Sequence, residues 1–290
     1  MANSDGMRPQ EVLEGYWLGE KLGVGARTVI YEVKRRDDGR IFAAKVVIVR
    51  NEEDKRVLRH LENEYAVLTD IQEQRTSGVH IAVRAIEFER IRKWFKTRAA
   101  YLIMERLEGR PLSDYREYDL DQVLTIFRQV CLGIENTHKA GYVHADLKPQ
   151  NILVGEHLDV KLIDFGFAAP IGSELSSYKG TFGYLAPEQA GGRVTEKTDV
   201  FNLGAALYWV LTGQNLPSIM PGKHEQVGFV PDQGVPVTPP TRLNPEVPAE
   251  LSDVVLRCCE YEPSKRPTAT ELKRYLHGLQ LRIEYGAVKG

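Results

Sequence analysis

Residues 144–153 read HADLKPQNIL, with an acid at 146, a lysine at 148 and an amide at 151 set around a proline, just ahead of an apolar run. Pro149 has no N–H and its ring clashes with a preceding helical turn, so the segment is a loop. It feeds a short strand, Ile152 to Val154. Loops held by rigid elements are where reactive side chains are displayed. Asp146, Lys148 and Asn151 place an acceptor, a cation and a metal-capable amide close together. The bland alternative is a polar turn without chemistry, and the rest of the chain decides between the two.

The 290-residue chain is 42% hydrophobic and 27% charged, a soluble globular composition that fits one large domain or two lobes. Its formal net charge of −2 lacks the basic excess of a nucleic-acid-coating surface, so no nucleic-acid partner is expected. The densest basic run, RIRKWFKTR at 90–98, reads as the exposed end of a hairpin before the strand AAYLIME; a docking patch is the lesser reading. Cys131, Cys258 and Cys259 form neither a disulfide framework nor a metal-ligand spacing. They read as buried small hydrophobes, in keeping with a reducing cytoplasm. The opening MANSDGMRPQEV has no apolar core of a signal peptide. LGAALYWVL, the longest apolar stretch, is well short of the roughly 20 residues of a membrane span. A cytoplasmic protein with no membrane span is the expectation.

Along the chain, EGYWLGEKLG, TVIYEVKRR and RIFAAKVVIV read as strands, with DDG at 37–39 as a hairpin turn. From 52 to 72 the period becomes helical, and Val57, Leu58, Leu61, Tyr65, Leu68 and Ile71 form one stripe. HIAVRAIEFERI and AAYLIMERL read as two more strands, and Gly109 and Pro111 then break the pattern. The remainder is mainly helical. DLDQVLTIFRQVCLGIENTHKAG has a cappable start and a glycine stop, and TDVFNLGAALYWVLTG is apolar nearly all round. Residues 214–250, rich in Pro and Gly, read as a long surface connection. Two helices, AELSDVVLRCCEY and TATELKRYLHGL, close the fold. The organisation predicted is α+β: a five-stranded lobe with one helix, a larger helical lobe, and a cleft between them.

Other polar residues extend the loop's pattern. LGVGARTVIYEV puts Leu22, Gly23 and Gly25 at a strand-to-strand turn, where glycines let backbone N–H groups approach phosphate oxygens. Lys45 lies mid-strand among Val, Ile and Ala, where burial without a partner is costly. Glu62 and Glu64 are both candidate partners. With Leu61 at zero, Glu64 falls at about 300°, on the apolar stripe, and Glu62 at about 100°, off it. A carboxylate on a buried face wants a cation, so Lys45 is paired with Glu64. VKLIDFGFA sets Asp164 after a strand and before a glycine turn, where it can hold a hard cation with Asn151 as a second oxygen ligand.

With glycine loop, strand lysine, helix glutamate, HADLKPQN, DFG and APE in this order, residues 14–280 resemble the eukaryotic-type Ser/Thr protein kinases. The resemblance implies a bilobal protein-kinase-like fold. Its nucleotide-binding N-lobe, an antiparallel sheet plus one helix, would span 14–108, and its mainly helical catalytic and substrate-binding C-lobe 109–280. It implies transfer of the γ-phosphate of ATP to Ser/Thr hydroxyls of proteins, with Mg²⁺ (or Mn²⁺) as cofactor, and autophosphorylation. Lys45, paired with Glu64, would contact the α- and β-phosphates. Asp146 would take or orient the hydroxyl proton, Lys148 would meet the γ-phosphate, and Asn151 and Asp164 would hold the metal. Ile30, Ala43 and Leu153 would sandwich the adenine. Met104 would lie behind it, and Glu105 and Leu107 would offer backbone hydrogen bonds. Lys148 and Thr181 match the Ser/Thr-specific branch. Glu188 would pair with Arg266, Asp199 would anchor the catalytic loop, and the segment from PTRLNPEV to PTATEL is most similar to bacterial kinases of this type.

Departures from the family carry information too. Thr28 stands where a third loop glycine is usual, implying a stiffer loop. Ala145 stands where most members have an arginine that grips an activation-loop phosphate. Activity is therefore expected not to require phosphate on Ser173, Ser176, Ser177, Tyr178 or Thr181. Phe201 and Asn202 replace the usual Trp and Ser and read as packing variants. Two alternative functions are a pseudokinase scaffold, against which Lys45, Asp146 and Asp164 speak, and a small-molecule phosphotransferase, against which GTFGYLAPE and Arg266 speak.

Overall fold

The β-branched segments near the N-terminus form one antiparallel sheet. The computed structural model describes residues 8–74, 80–114, 117–174, 181, 183–190, 192–217 and 237–286. A short helix α1 (Pro9–Val12) precedes β1 (Tyr16–Val24), β2 (Thr28–Arg35) and β3 (Ile41–Ile48). Helix α2 (Glu52–Glu73) is followed by β4 (Ala85–Lys93) and β5 (Lys96–Glu105), and the sheet order is β1-β2-β3-β5-β4. Strand alternation divides the side chains between two faces. Phe42, Ala44, Val46, Ala99, Tyr101 and Ile103 pack with Val12, Leu13 and Tyr16 on one face. Lys45 belongs to the opposite face, which α2 meets.

Helix α2 starts on a capping box: the Asn51 side chain accepts from the Asp54 N–H at 3.0 Å, and the Asp54 carboxylate accepts from the Asn51 N–H at 3.2 Å. Its predicted stripe is seated inward at Leu58, Leu61, Leu68 and Ile71, with Glu64 buried among them.

The chain divides into two units: Met1–Arg75 with Val83–Glu108, and Thr76–Ala82 with Gly109–Gly290. HIAVRAIEFERI is therefore not one strand as expected. Regular pairing begins only at Ala85, because Ala82 bridges Leu162 and the Ile81 carbonyl accepts from the Leu162 N–H at 2.8 Å.

The second unit contains β6 (Arg110–Pro111), α3 (Leu120–Lys139), β7 (Tyr142–Val143), β8 (Ile152–Val154), β9 (Val160–Leu162) and β10 (Ala169–Pro170). Helices α4 (Pro187–Ala190), α5 (Glu196–Thr212), α6 (Pro240–Leu243), α7 (Ala249–Cys258) and α8 (Ala269–Glu284) follow. The short strands make two ladders, β6-β8-β9 and β10-β7, that bracket the loop quoted first. Helix α5 is buried nearly all round, and Gly204 is what lets α7 approach: a Cβ there would lie 2.5 Å from the Cys258 Cβ. The expected long connection at 214–250 is interrupted by α6, whose first position is Pro240, a residue pre-set for a helix start. Residues 218–236 of it lie outside those described.

Among the described residues no helix is long and apolar enough to cross a membrane. Cys131 and Cys258 are fully buried and Cys259 half-buried; burial pushes the Cys258 thiol up to about 12, so it packs rather than reacts. The basic run forms the β4–β5 hairpin end, with Lys93 paired to Lys96 across a two-residue turn, Trp94–Phe95.

Candidate active site

The residues singled out from sequence fall in both units. Leu22, Gly23, Gly25, Ile30, Ala43, Lys45, Glu64, Met104, Glu105 and Leu107 belong to the first. Asp146, Lys148, Asn151, Leu153 and Asp164 belong to the second.

In the first unit, sheet register collects the candidates. Gly23 lies opposite Ile30, Ile30 opposite Lys45, and Lys45 opposite Leu102, one row across four strands. Ala43 lies opposite Met104 on the same face. Lys45 Nζ donates to the Glu64 carboxylate at 2.7 Å, and Glu64 is 1% exposed. Glu62, the other candidate, pairs with Arg90 instead. In so buried a pair each partner offsets the other's desolvation.

Nothing in the fold demands a glycine at 23, where a Cβ would meet only the Ile30 Cδ1, at 3.9 Å. At 25 a Cβ would lie 2.5 Å from the Thr28 hydroxyl, and the Gly25 N–H donates to the Thr28 carbonyl at 2.9 Å. Thr28, buried, thus closes the turn from inside. At the end of β5 the Glu105 N–H donates to the Arg84 carbonyl at 2.9 Å, and beyond it the Leu107 carbonyl accepts from the Arg106 guanidinium.

The sequence reading missed a clamp on this turn. Arg27 donates to Asp54 at 2.9 Å and pairs with Glu53, which ties the glycine turn to the first turn of α2. Burial alone would raise the Asp54 carboxyl, but the Arg50 N–H, the Arg27 guanidinium and the Asn51 N–H hold it below its ordinary value. A depressed carboxyl gives stability that is full above its unfolded pKa, about 4, and is lost as pH falls through the lower folded value. Asp54→Asn should therefore flatten the acid side of a melting-temperature profile below about pH 4. Parallel wild-type and variant profiles there would contradict it.

In the second unit the loop is a web of short bonds. The Asp146 carboxylate accepts from Lys148 Nζ at 2.7 Å and from the Thr181 hydroxyl at 2.8 Å, and Lys148 also reaches the Thr181 oxygen at 2.6 Å. Asn151 Nδ2 donates to the Asp146 carbonyl at 2.8 Å, which fixes the amide so that Oδ1 is its outward oxygen. The Ile163 N–H donates to the Asn151 carbonyl at 3.0 Å, lacing the residue before Asp164 to the loop. Asp164 has φ 65° and ψ 65°, a left-handed conformation held by the buried Phe165, whose ring centroid lies 4.5 Å from that of His144. An amide and a carboxylate oxygen are ligand types that suit a hard divalent cation. Leu153 lies on β8, half-buried.

Asp199 anchors the loop from α5: it accepts from the His144 and Ala145 N–H groups, each at 2.9 Å, and His138 Nε2 lies 2.9 Å from it. Glu188 and Arg266 form a two-pronged pair at 2.7 and 2.9 Å. Arg266 also donates to the carbonyls of Lys197, Glu260 and Tyr261, and lies 4.9 Å from the Phe201 ring centroid.

Phe201 and Asn202 are therefore more than packing variants. Asn202 Nδ2 donates to the Tyr184 carbonyl at 2.5 Å and to the Gln189 Oε1 at 3.0 Å, and Gln189 Nε2 donates to the Ala145 carbonyl at 2.8 Å. All three residues are buried. A chain of amides thus runs from α5 through the residue after APE to the catalytic-loop alanine, whose φ is 62°. Ser176, Ser177 and Tyr178 lie outside the described residues.

The protein kinase domain family's sequence model matches residues 16–276. A probable serine/threonine-protein kinase of Clostridium perfringens is 28% identical over 272 residues, covering 89% of this chain and 37% of that protein. Serine/threonine-protein kinase PknB of Mycolicibacterium smegmatis is 28% identical over 281 residues, 91% of this chain and 43% of its own. Serine/threonine-protein kinase A of Synechocystis is 27% identical over 277 residues, 89% and 51%. The chain spans about half or less of the length of these relatives.

Proposed function

This chain belongs to the protein kinase domain family, and from that premise we propose that it transfers the γ-phosphoryl group of ATP to serine and threonine hydroxyls of proteins, its own included. The observation that carries this reading is the Lys148–Asp146–Thr181 triangle, with contacts of 2.6 to 2.8 Å. A carboxylate held by a cation and a hydroxyl is positioned to orient an acceptor hydroxyl and receive its proton. Lys148 would offset charge at the transferred group, and Lys45, steadied by Glu64, would do so at the α- and β-phosphates. Leu22, Ile30, Ala43 and Leu153 would flank the adenine, with Met104 behind it. The Glu105 carbonyl and Leu107 N–H would meet its edge, and the backbone around Gly23 and Gly25 its phosphates. Asn151 and Asp164 would hold Mg²⁺, which would supply positive charge to offset that of the phosphates. In these roles 14–108 serves the nucleotide and 109–280 the acceptor.

The test is incubation with ATP, Mg²⁺ and a generic basic protein, followed by phosphoamino-acid analysis. Phosphoserine or phosphothreonine is expected. Phosphate accepted only by small alcohols, or nucleotide bound without transfer, would overturn the reading.

Ala145 extends it. Without an arginine at this position, the loop lacks the family's usual partner for a segment phosphate; the Asn202–Gln189–Ala145 amides tie it to the segment after APE. Phosphatase treatment is accordingly expected to leave the rate within about twofold, since this charge pair is missing. Gln189→Leu strands buried partners worth about 1–3 kcal/mol and is expected to lower kcat with little change in the KM for ATP. A phosphatase-sensitive rate, or a Gln189 variant that loses only melting temperature, would count against it.

A further inference from the structure

The β4–β5 hairpin ends in the two most exposed aromatics among the described residues. Trp94 is 88% exposed and Phe95 100%. Trp94 has φ 58°, a conformation that glycine or asparagine adopts readily and a bulky side chain does not. A turn whose first position favours glycine or asparagine thus carries tryptophan, and a local rule broken without structural gain marks a place kept for function. Among the described residues neither ring stacks on another ring or lies under a cation.

The charges around the tip are of one sign. Residues 90–98 contain Arg90, Arg92, Lys93, Lys96 and Arg98 and no acid. Arg90 is engaged by Glu62. Among the described residues Arg92, Lys93, Lys96 and Arg98 have no ion-pair partner, and all four are exposed. At about 3.3 Å per residue the flanking cations lie within roughly 10 Å of the apex, on both strands. Two aromatics projecting ahead of a ring of cations match a bilayer face, where Trp settles at the headgroup level and Lys and Arg meet anionic phosphates.

We propose that the Trp94–Phe95 tip is a membrane-docking element, inserting its aromatic pair at the headgroup–acyl boundary of bilayers rich in anionic phospholipid. The alternatives fit less well. Single-stranded nucleic acid is held in basic grooves with stacking platforms along the strand, whereas this is a convex apex on a chain of net charge −2. A second copy would bring like charges together. The proposal does not depend on the catalytic reading, because no residue of the tip belongs to that machinery.

The test is flotation of the full chain with vesicles of phosphatidylcholine alone or mixed equally with phosphatidylglycerol. Binding to the anionic vesicles should be at least ~10-fold tighter and fall with salt. Trp94→Asn/Phe95→Gly puts at 94 a residue that tolerates positive φ and removes both rings from an exposed tip, so it should fold as well as wild type and lose ~10-fold or more in vesicle binding. Lys93→Glu/Lys96→Glu should lose a similar factor by charge alone. On wild type, tryptophan emission should shift to the blue with anionic vesicles, and Trp94→Phe should abolish the shift while vesicles are still bound. Equal binding by wild type and Trp94→Asn/Phe95→Gly overturns the proposal. So does wild type that ignores anionic lipid but binds a single-stranded polynucleotide or an acidic polypeptide, or that self-associates through the tip.

Discussion

Asp146→Asn should lower phosphoryl transfer by about 10²- to 10⁴-fold, the usual consequence of removing a general base. Asp146 spends one carboxylate oxygen on Thr181 and the other on Lys148, at 2.8 and 2.7 Å. Asparagine keeps the shape but has one acceptor oxygen, so it can satisfy one of these donors and has no charge to receive a proton. The fold should be little affected, because Asp199 holds the loop backbone independently. The measurement is a single-turnover rate with ATP and Mg²⁺ beside a nucleotide-induced shift in melting temperature. Lys45→Met should also abolish most transfer, and it should weaken nucleotide binding, since it leaves Glu64 buried without its cation. A variant of Asp146 with near wild-type rate would remove this residue from the chemistry.

Arg266→Met should be the most damaging substitution to stability. The Arg266 side chain has no exposure, and it braces Glu188 while collecting three carbonyls and lying on Phe201. Breaking a buried pair by removing one partner costs about 3–5 kcal/mol, against a total stability of roughly 5–15 kcal/mol. At roughly 2–4 °C per kcal/mol for a large domain, the melting temperature should fall by about 6–20 °C. Adding Glu188→Gln should cost less than the sum of the single effects, because the stranded carboxylate is then neutral. A fall below about 2 °C would mean that the site relaxes to let water replace the guanidinium, contrary to the cost expected of a broken buried pair.

Much of this was legible in the sequence, for local reasons. Period-2 runs and a helical stripe carry their own signal, and they yielded the five strands and α2. Helical geometry alone separated Glu64 from Glu62, since one of them had to face the sheet. The Glu188–Arg266 pair and the Asp199 anchor came through the family resemblance, which carries long-range pairing that a single sequence does not display. What escaped detection had no local signature. Asn202, Gln189 and Ala145 are linked across separations of 13 and 44 residues, and two neutral amides do not advertise a partner as a buried charge does. Arg27 and Asp54 carry no local sign of their pairing, which exists only where the turn meets the helix start. HIAVRAIEF alternates well enough for one strand, yet only tertiary pairing could assign its first residues to a different ladder.

That last assignment bears on how the molecule is made. Strand β9, which ends two residues before Asp164, is flanked by β8 on one side and by residues 81–82 on the other. On the ribosome, Ile81 is synthesised some eighty residues before Leu162, a wait of about 4–16 s at ordinary rates of about 5–20 residues per second. The sheet of β1 to β5 can close once residue 105 is made, but until Gly133 and then Leu162 follow, Ile81, 3% exposed in the finished fold, lacks the neighbours that bury it. Slowing of translation between codons 85 and 160 would prolong the exposure of this sticky segment, whereas slowing after 162 would not.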